Sequence, residues 1–86
     1  MHEPVLEEIG RVAGFFVRPG VARIELIAPL RVGDTIYIKG HTTDFQQLVE
    51  SMQIDHQTVE QAPPGQSVGL KVSQRCRKHD IIYRLS

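Results

Sequence analysis

Tryptophan is missing from this sequence, and cysteine occurs once. A single thiol excludes an internal disulfide, which fits a reducing compartment. Three Phe and two Tyr are the only aromatics, so the core must be mostly aliphatic. Net charge is also missing, because ten Lys and Arg balance ten Asp and Glu. A neutral chain exerts no long-range pull on nucleic acid, so any such binding must come from a local patch. No apolar run approaches the ~18 residues of a membrane helix. No Gly-x-x-x-x-Gly-Lys-Ser/Thr run is present, so no nucleotide site is implied. The start, Met1 to Glu8, is acidic and too polar for a signal peptide. These absences lead us to expect a cytoplasmic protein with no membrane contact and no cofactor.

The 86 residues make one domain. A chain of this length buries roughly 60–65% of its unfolded surface. The pattern predicts a short lead-in over 1–7 and a single β-domain over 8–86. Asp34 to Lys39 alternates, with Ile36 and Ile38 on one face and Thr35, Tyr37 and Lys39 on the other. Val32-Gly33-Asp34 forms its entry turn, where Gly33 supplies backbone freedom. A strand over 8–17 carries Gly10 and Gly14, and glycine inside a strand predicts bulges. Arg18-Pro19-Gly20 reads as a turn. A second strand carries Ala22, Ile24 and Leu26 on one face. A long strand over 45–54 needs a bulge near Glu50-Ser51 to keep its register. Val68, Leu70 and Val72 mark a fifth strand, and 80–85 a sixth. The expected core is Val12, Phe16, Ile24, Leu26, Ile36, Ile38, Val49, Met52, Ile54, Val68, Leu70, Val72 and Tyr83 or a neighbour. Six short strands without helices predict an antiparallel sheet curled into a barrel or sandwich.

Three places could carry function. Arg75, Arg77, Lys78 and His79 form the one dense positive cluster, and arginine grips phosphate in a forked geometry. The loop after Gly40 offers His41, Thr42 and Thr43 as hydrogen-bonding groups, with Asp44 as a cap. Cys76 and His79 make a Cys-x-x-His pair. Zinc needs about four ligands, so no metal site is expected. The flanking Arg75 and Arg77 would lower the Cys76 pKa. The plainer reading is a half-exposed thiol at a strand edge. No catalytic residue is assigned.

Taken in order, Gly20 to Leu26, Leu30 to Gly40, Ser51 to Ile54 and Ala62 to Val72 resemble the second domain of the translational GTPases, the barrel beside the G domain of elongation factor Tu. The resemblance covers about Gly10 to Leu85. It implies an all-β fold, a closed antiparallel Greek-key β-barrel of about six strands. It also implies a non-enzymatic, translation-factor-like module that binds tRNA or ribosomal RNA as an accessory. Arg75, Arg77, Lys78 and His79 would then be the RNA-binding residues, with His41, Thr42 and Thr43 as further loop contacts. The alternative is a protein-interaction or scaffold domain acting in trans with a larger translation or RNA-modification protein. Similar barrels also resemble the C-terminal domain of collagenase-like peptidases of the RNA-modification type.

Overall fold

A computed structural model describes residues 5–86. It is all-β, with no helix among the described residues. The strands are β1 (Leu6–Phe16), β2 (Val21–Leu26), β3 (Leu30–Arg31), β4 (Thr35–Lys39), β5 (Asp44–Leu48), β6 (Met52–Ile54), β7 (Gln57–Val59), β8 (Gln61–Ala62), β9 (Ser67–Lys71) and β10 (Ile81–Leu85). Eight pair antiparallel in the order β5-β4-β10-β1-β2-β9-β6-β7, while β3 and β8 form a separate pair.

The entry turn before β4 forms as its residues demand. Gly33 holds a φ of 100°, the Arg31 amide donates to the Asp34 carboxylate at 2.9 Å, and the Asp34 amide donates to the Arg31 carbonyl at 3.1 Å. β1 is bulged twice, between Glu8 and Gly10 against β10 and between Val12 and Gly14 against β2. Bulges bend a strand and let one long strand serve two neighbours at changing angles. A Cβ on Gly10 would lie 2.5 Å from the Glu25 carbonyl oxygen, so the β1–β2 crossing requires glycine there.

Two expectations need correction. The strand over 45–54 is two strands, β5 on β4 and β6 on β9, separated by Val49, Glu50 and Ser51. The change of phase read as a bulge is where the chain leaves one side of the sheet for the other. The closed six-stranded barrel is not what the ladders form, because β5 and β7 end the sheet without pairing to each other. The curl is instead held by a side chain. Gln47 on β5 donates to the Lys71 carbonyl at 2.9 Å and accepts from the Ser73 amide at 2.8 Å. One amide thus makes the donor and acceptor contacts that a paired residue would make.

Inside the curl lies an aliphatic core of Ile9, Val12, Ala22, Ile24, Leu26, Leu30, Ile36, Ile38, Val49, Met52, Val68, Leu70 and Ile82. Each buried large aliphatic contributes about 1.5–3 kcal/mol. Phe16 is not part of it. The bulge at Val12/Gly14 shifts the parity of β1, which turns Phe15 toward the core and leaves Phe16 53% exposed. Ile54 is half-buried, and Ile82 rather than Tyr83 fills the β10 position.

Candidate functional site

The outer face of β1, β2, β9 and β6 forms an open groove of about 500 Å³. Strand register places its residues in rows, since alternate residues share a face. Phe16 stands opposite Val21, and Val21 opposite Lys71. Gly14 stands opposite Arg23, Arg23 opposite Gly69, and Gly69 opposite Gln53. Glu25 stands opposite Ser67. The turn with Arg18 and Pro19 lines the groove at the Phe16 side. Asp55 and His56 line it from the β6–β7 hairpin, whose two turn residues hold φ values of 50° and 65°. Two positive φ angles match the twist of a two-residue hairpin. Sequence reasoning placed Arg18 in a turn and Phe16 in the core, so it missed this groove. The outward alternation of half-buried Val21 with exposed Arg23 and Glu25 was its local signal.

The basic cluster sits elsewhere. Arg75, Arg77, Lys78 and His79 are all exposed. Their loop is pinned across β1, with the His79 amide donating to the Val12 carbonyl and the Val12 amide to the Asp80 carbonyl, both at 2.8 Å. His79 holds a φ of 80°. Asp80 is 4% exposed, and its carboxylate accepts from the Arg77 amide at 2.8 Å. This tight turn spreads the basic side chains outward beside Gly14, Phe15 and Val17.

Cys76 departs from both readings of it. It is 2% exposed, not half-exposed, and burial pushes its thiol up to about 11, with the Asp80 charge adding to the rise. Desolvation therefore outweighs the flanking arginines, whose exposed guanidinium groups are screened by water. Its thiol lies 3.8 Å from the Gln74 carbonyl oxygen. Among the described residues no group of three His, Cys, Asp or Glu side chains could hold a metal ion.

The loop after Gly40 splits in two. His41 and Thr42 are exposed, while Thr43 is 4% exposed and belongs to the interior. Asp44 does not cap the loop. It accepts the Tyr37 hydroxyl at 2.6 Å and pairs with Lys39 at 3.4 Å. The Tyr37 hydrogen bond is the main cause that holds the Asp44 carboxyl below its ordinary range. On the opposite end of the sheet, Arg84 binds Glu7 at 2.5 Å, Asp34 at 3.6 Å and the Pro29 carbonyl. That network fastens the start of β1 to the β4 entry turn.

Solved structures decide the fold. The chain superposes on the C-terminal domain of a Geobacillus thermoleovorans protein named as a U32 peptidase with a TM-score of 0.85, at 23% identity, covering 91% of each chain. A selenomethionine variant of that domain gives 0.84 at 24% identity, covering 88% of this chain and 96% of that one. The chain has the fold of a U32 peptidase C-terminal domain. It is 47% identical over 79 residues to an uncharacterized protease of Methanocaldococcus jannaschii, covering 91% of this chain and 19% of that protein. It is 38% identical over 78 residues to a collagenase of Porphyromonas gingivalis, covering 88% of this chain and 22% of that protein. The chain thus spans about a fifth of the length of these curated relatives. No family model matches it.

These matches correct the reading of the sequence. They fall on the second resemblance, to peptidase C-terminal domains, and not on elongation factor Tu. The translation-factor-like RNA-binding module is set aside with it, and so are tRNA and ribosomal RNA as partners. The assignment as a non-enzyme is corrected to a chain that matches about a fifth of proteins named protease and collagenase. The misreading has a physical source. Short strands, Gly/Pro turns and an aliphatic core specify a curled sheet, and many unrelated functions use one.

Proposed function

We propose that this chain serves a U32-type peptidase as its C-terminal β-domain and handles polypeptide beside the catalytic part. The observation that carries this reading is the 47% identity to the M. jannaschii protease over 79 residues, nearly the whole chain. The match to a solved domain of the same size supports the placement. In such a protein a rigid sheet with a lateral groove is suited to positioning a chain relative to the reacting centre. The curled sheet acts as a barrel whose seam is sealed by Gln47, supported by its two hydrogen bonds across the gap. One buried free thiol supports a cytoplasmic site of action.

The test is domain replacement in the P. gingivalis collagenase. Its matching segment is deleted or exchanged for this chain, and collagen cleavage is measured. Deletion should reduce cleavage and the exchange should restore it. Cleavage that survives deletion unchanged, or that this chain fails to restore, refutes the reading.

A further inference from the structure

The geometry points to the groove over β1, β2, β9 and β6 as a binding site for a short extended peptide with free ends, its carboxylate toward Arg18 and Arg23 and its ammonium toward Asp55 and Glu25. This deepens the peptidase reading and rests on it, because peptide hydrolysis produces such ligands.

Charge is the first argument. Arg18 lines the groove on the Phe16 side, and Lys71 stands opposite Val21 in the same row. At the other end Asp55 lines the groove and Glu25 faces Ser67. Arg23 lies between, and its guanidinium runs along the sheet, 3.9 Å from where a Cβ on Gly14 would stand. None of these five side chains makes an ion pair among the described residues. Among the lining residues Arg18 and Arg23 are the cations and Asp55 is the carboxylate, beside His56 at the far end, while Glu25 borders that end with Arg11 opposite it. A polyanion would meet repulsion at Asp55, whereas a peptide with free termini carries one charge for the arginines and one for that carboxylate.

The second argument is Gly69. It lies inside β9, where glycine weakens a strand and marks close approach of another backbone. Nothing among the described residues requires it. Its φ is not in the left-handed region, and an added Cβ would make only ordinary contacts, 3.5 Å from Val21 and 3.9 Å from the Gln53 carbonyl. Glycine here keeps the groove floor bare. Phe16, Val21 and Pro19 supply apolar surface next to the basic end for the last side chain.

Length follows from the strand. From Val21 to Glu25 is about 13 Å at roughly 3.3 Å per residue, which suits a ligand of about four or five residues.

The test is an NMR titration of the labelled full chain with the pentapeptide Ala-Gly-Ala-Val-Leu, its C-terminal amide and its N-acetyl form. The free peptide should shift the amides of Val21, Arg23, Gly69 and Gln53. Amidation should weaken binding about tenfold or more, as expected for loss of a charge-assisted hydrogen bond. Acetylation should weaken it as well. Arg23→Gln should weaken it by a similar factor, and Gly69→Val should abolish it without lowering the melting temperature. Absence of groove shifts at millimolar peptide overturns the proposal. So does equal binding of the free and capped peptides, or undiminished binding to Gly69→Val. A hexauridylate strand that shifts these amides at lower concentration than the peptide also overturns it. If the chain restores collagen cleavage in the exchange while peptide fails to bind, the groove assignment falls alone.

Discussion

Replacing Gly40 with alanine should be among the most damaging single changes in this protein. The residue follows β4, and its added Cβ would stand 1.8 Å from one Asp80 carboxylate oxygen and 2.5 Å from the carboxylate carbon. No backbone strain is involved, because the φ of Gly40 is not in the left-handed region. The whole carboxylate must move. It is 4% exposed and holds the Arg77 amide at 2.8 Å, so it cannot swing away without breaking that bond. A hydrogen bond to a charged group is worth about 1.5–3 kcal/mol. Crowding a packed site costs a further ~1–3 kcal/mol. Loss of glycine's freedom in the unfolded chain offsets about 0.4–1 kcal/mol. The net cost is about 2–6 kcal/mol, which lowers the melting temperature by roughly 8–48 °C at ~4–8 °C per kcal/mol for a domain of this size. The assay is urea denaturation of four proteins: the wild type, Gly40→Ala, Asp80→Ala and the double variant. With the carboxylate gone, the nearest remaining atom is the Cβ of residue 80 at 3.3 Å, a contact that a shift of a few tenths of an ångström relieves. The alanine should then cost less than about 1 kcal/mol, which gives a coupling above ~1 kcal/mol. Additive costs, within about 0.5 kcal/mol, would refute the steric account.

Gly10→Ala should be costlier still, because the clash at 2.5 Å is with the Glu25 backbone, and it should abolish soluble expression or lower the urea midpoint sharply. Cys76 should resist a thiol reagent at pH 8 until the protein unfolds, since burial pushes its thiol up to about 11. A raised folded pKa means the native state keeps its proton longer. Stability should therefore fall as pH rises from the ordinary thiol range toward 11, and Cys76→Ala should flatten that fall. Tyr37→Phe should raise the Asp44 pKa toward its ordinary value in an NMR titration, because the phenol hydrogen bond is the largest cause of its depression. Gln47→Ala should speed hydrogen exchange at Ser73, whose amide it holds at 2.8 Å, while leaving the β1–β2 amides protected.

Much of the sheet was legible in the residues. Buried Ile36 and Ile38 alternate with half-buried Thr35 and Tyr37 and exposed Lys39 in β4, and buried Ala22, Ile24 and Leu26 alternate with exposed Arg23 and Glu25 in β2, because the pleat imposes a period of two. The glycines of β1 marked both bulges for the same local reason. Partnership was not legible. Phe45 and Met52 belong to one apolar pattern, yet β5 pairs with β4 and β6 with β9, since pairing is chosen by the path of the chain in space. Burial of Cys76 was missed because flanking arginines are neighbours in sequence, while desolvation depends on what packs above the thiol. Phe16 was assigned inward because one bulge reverses the parity of every later residue in its strand. The groove is the clearest case. Phe16, Arg23, Gln53 and Gly69 come from four strands, and only the tertiary register sets them on one face. The sequence by itself determined an aliphatic, antiparallel all-β domain, because strand period and turn chemistry are local. Tertiary structure decided how the sheet curls, what seals its seam and which side chains meet, because those depend on contacts between distant residues.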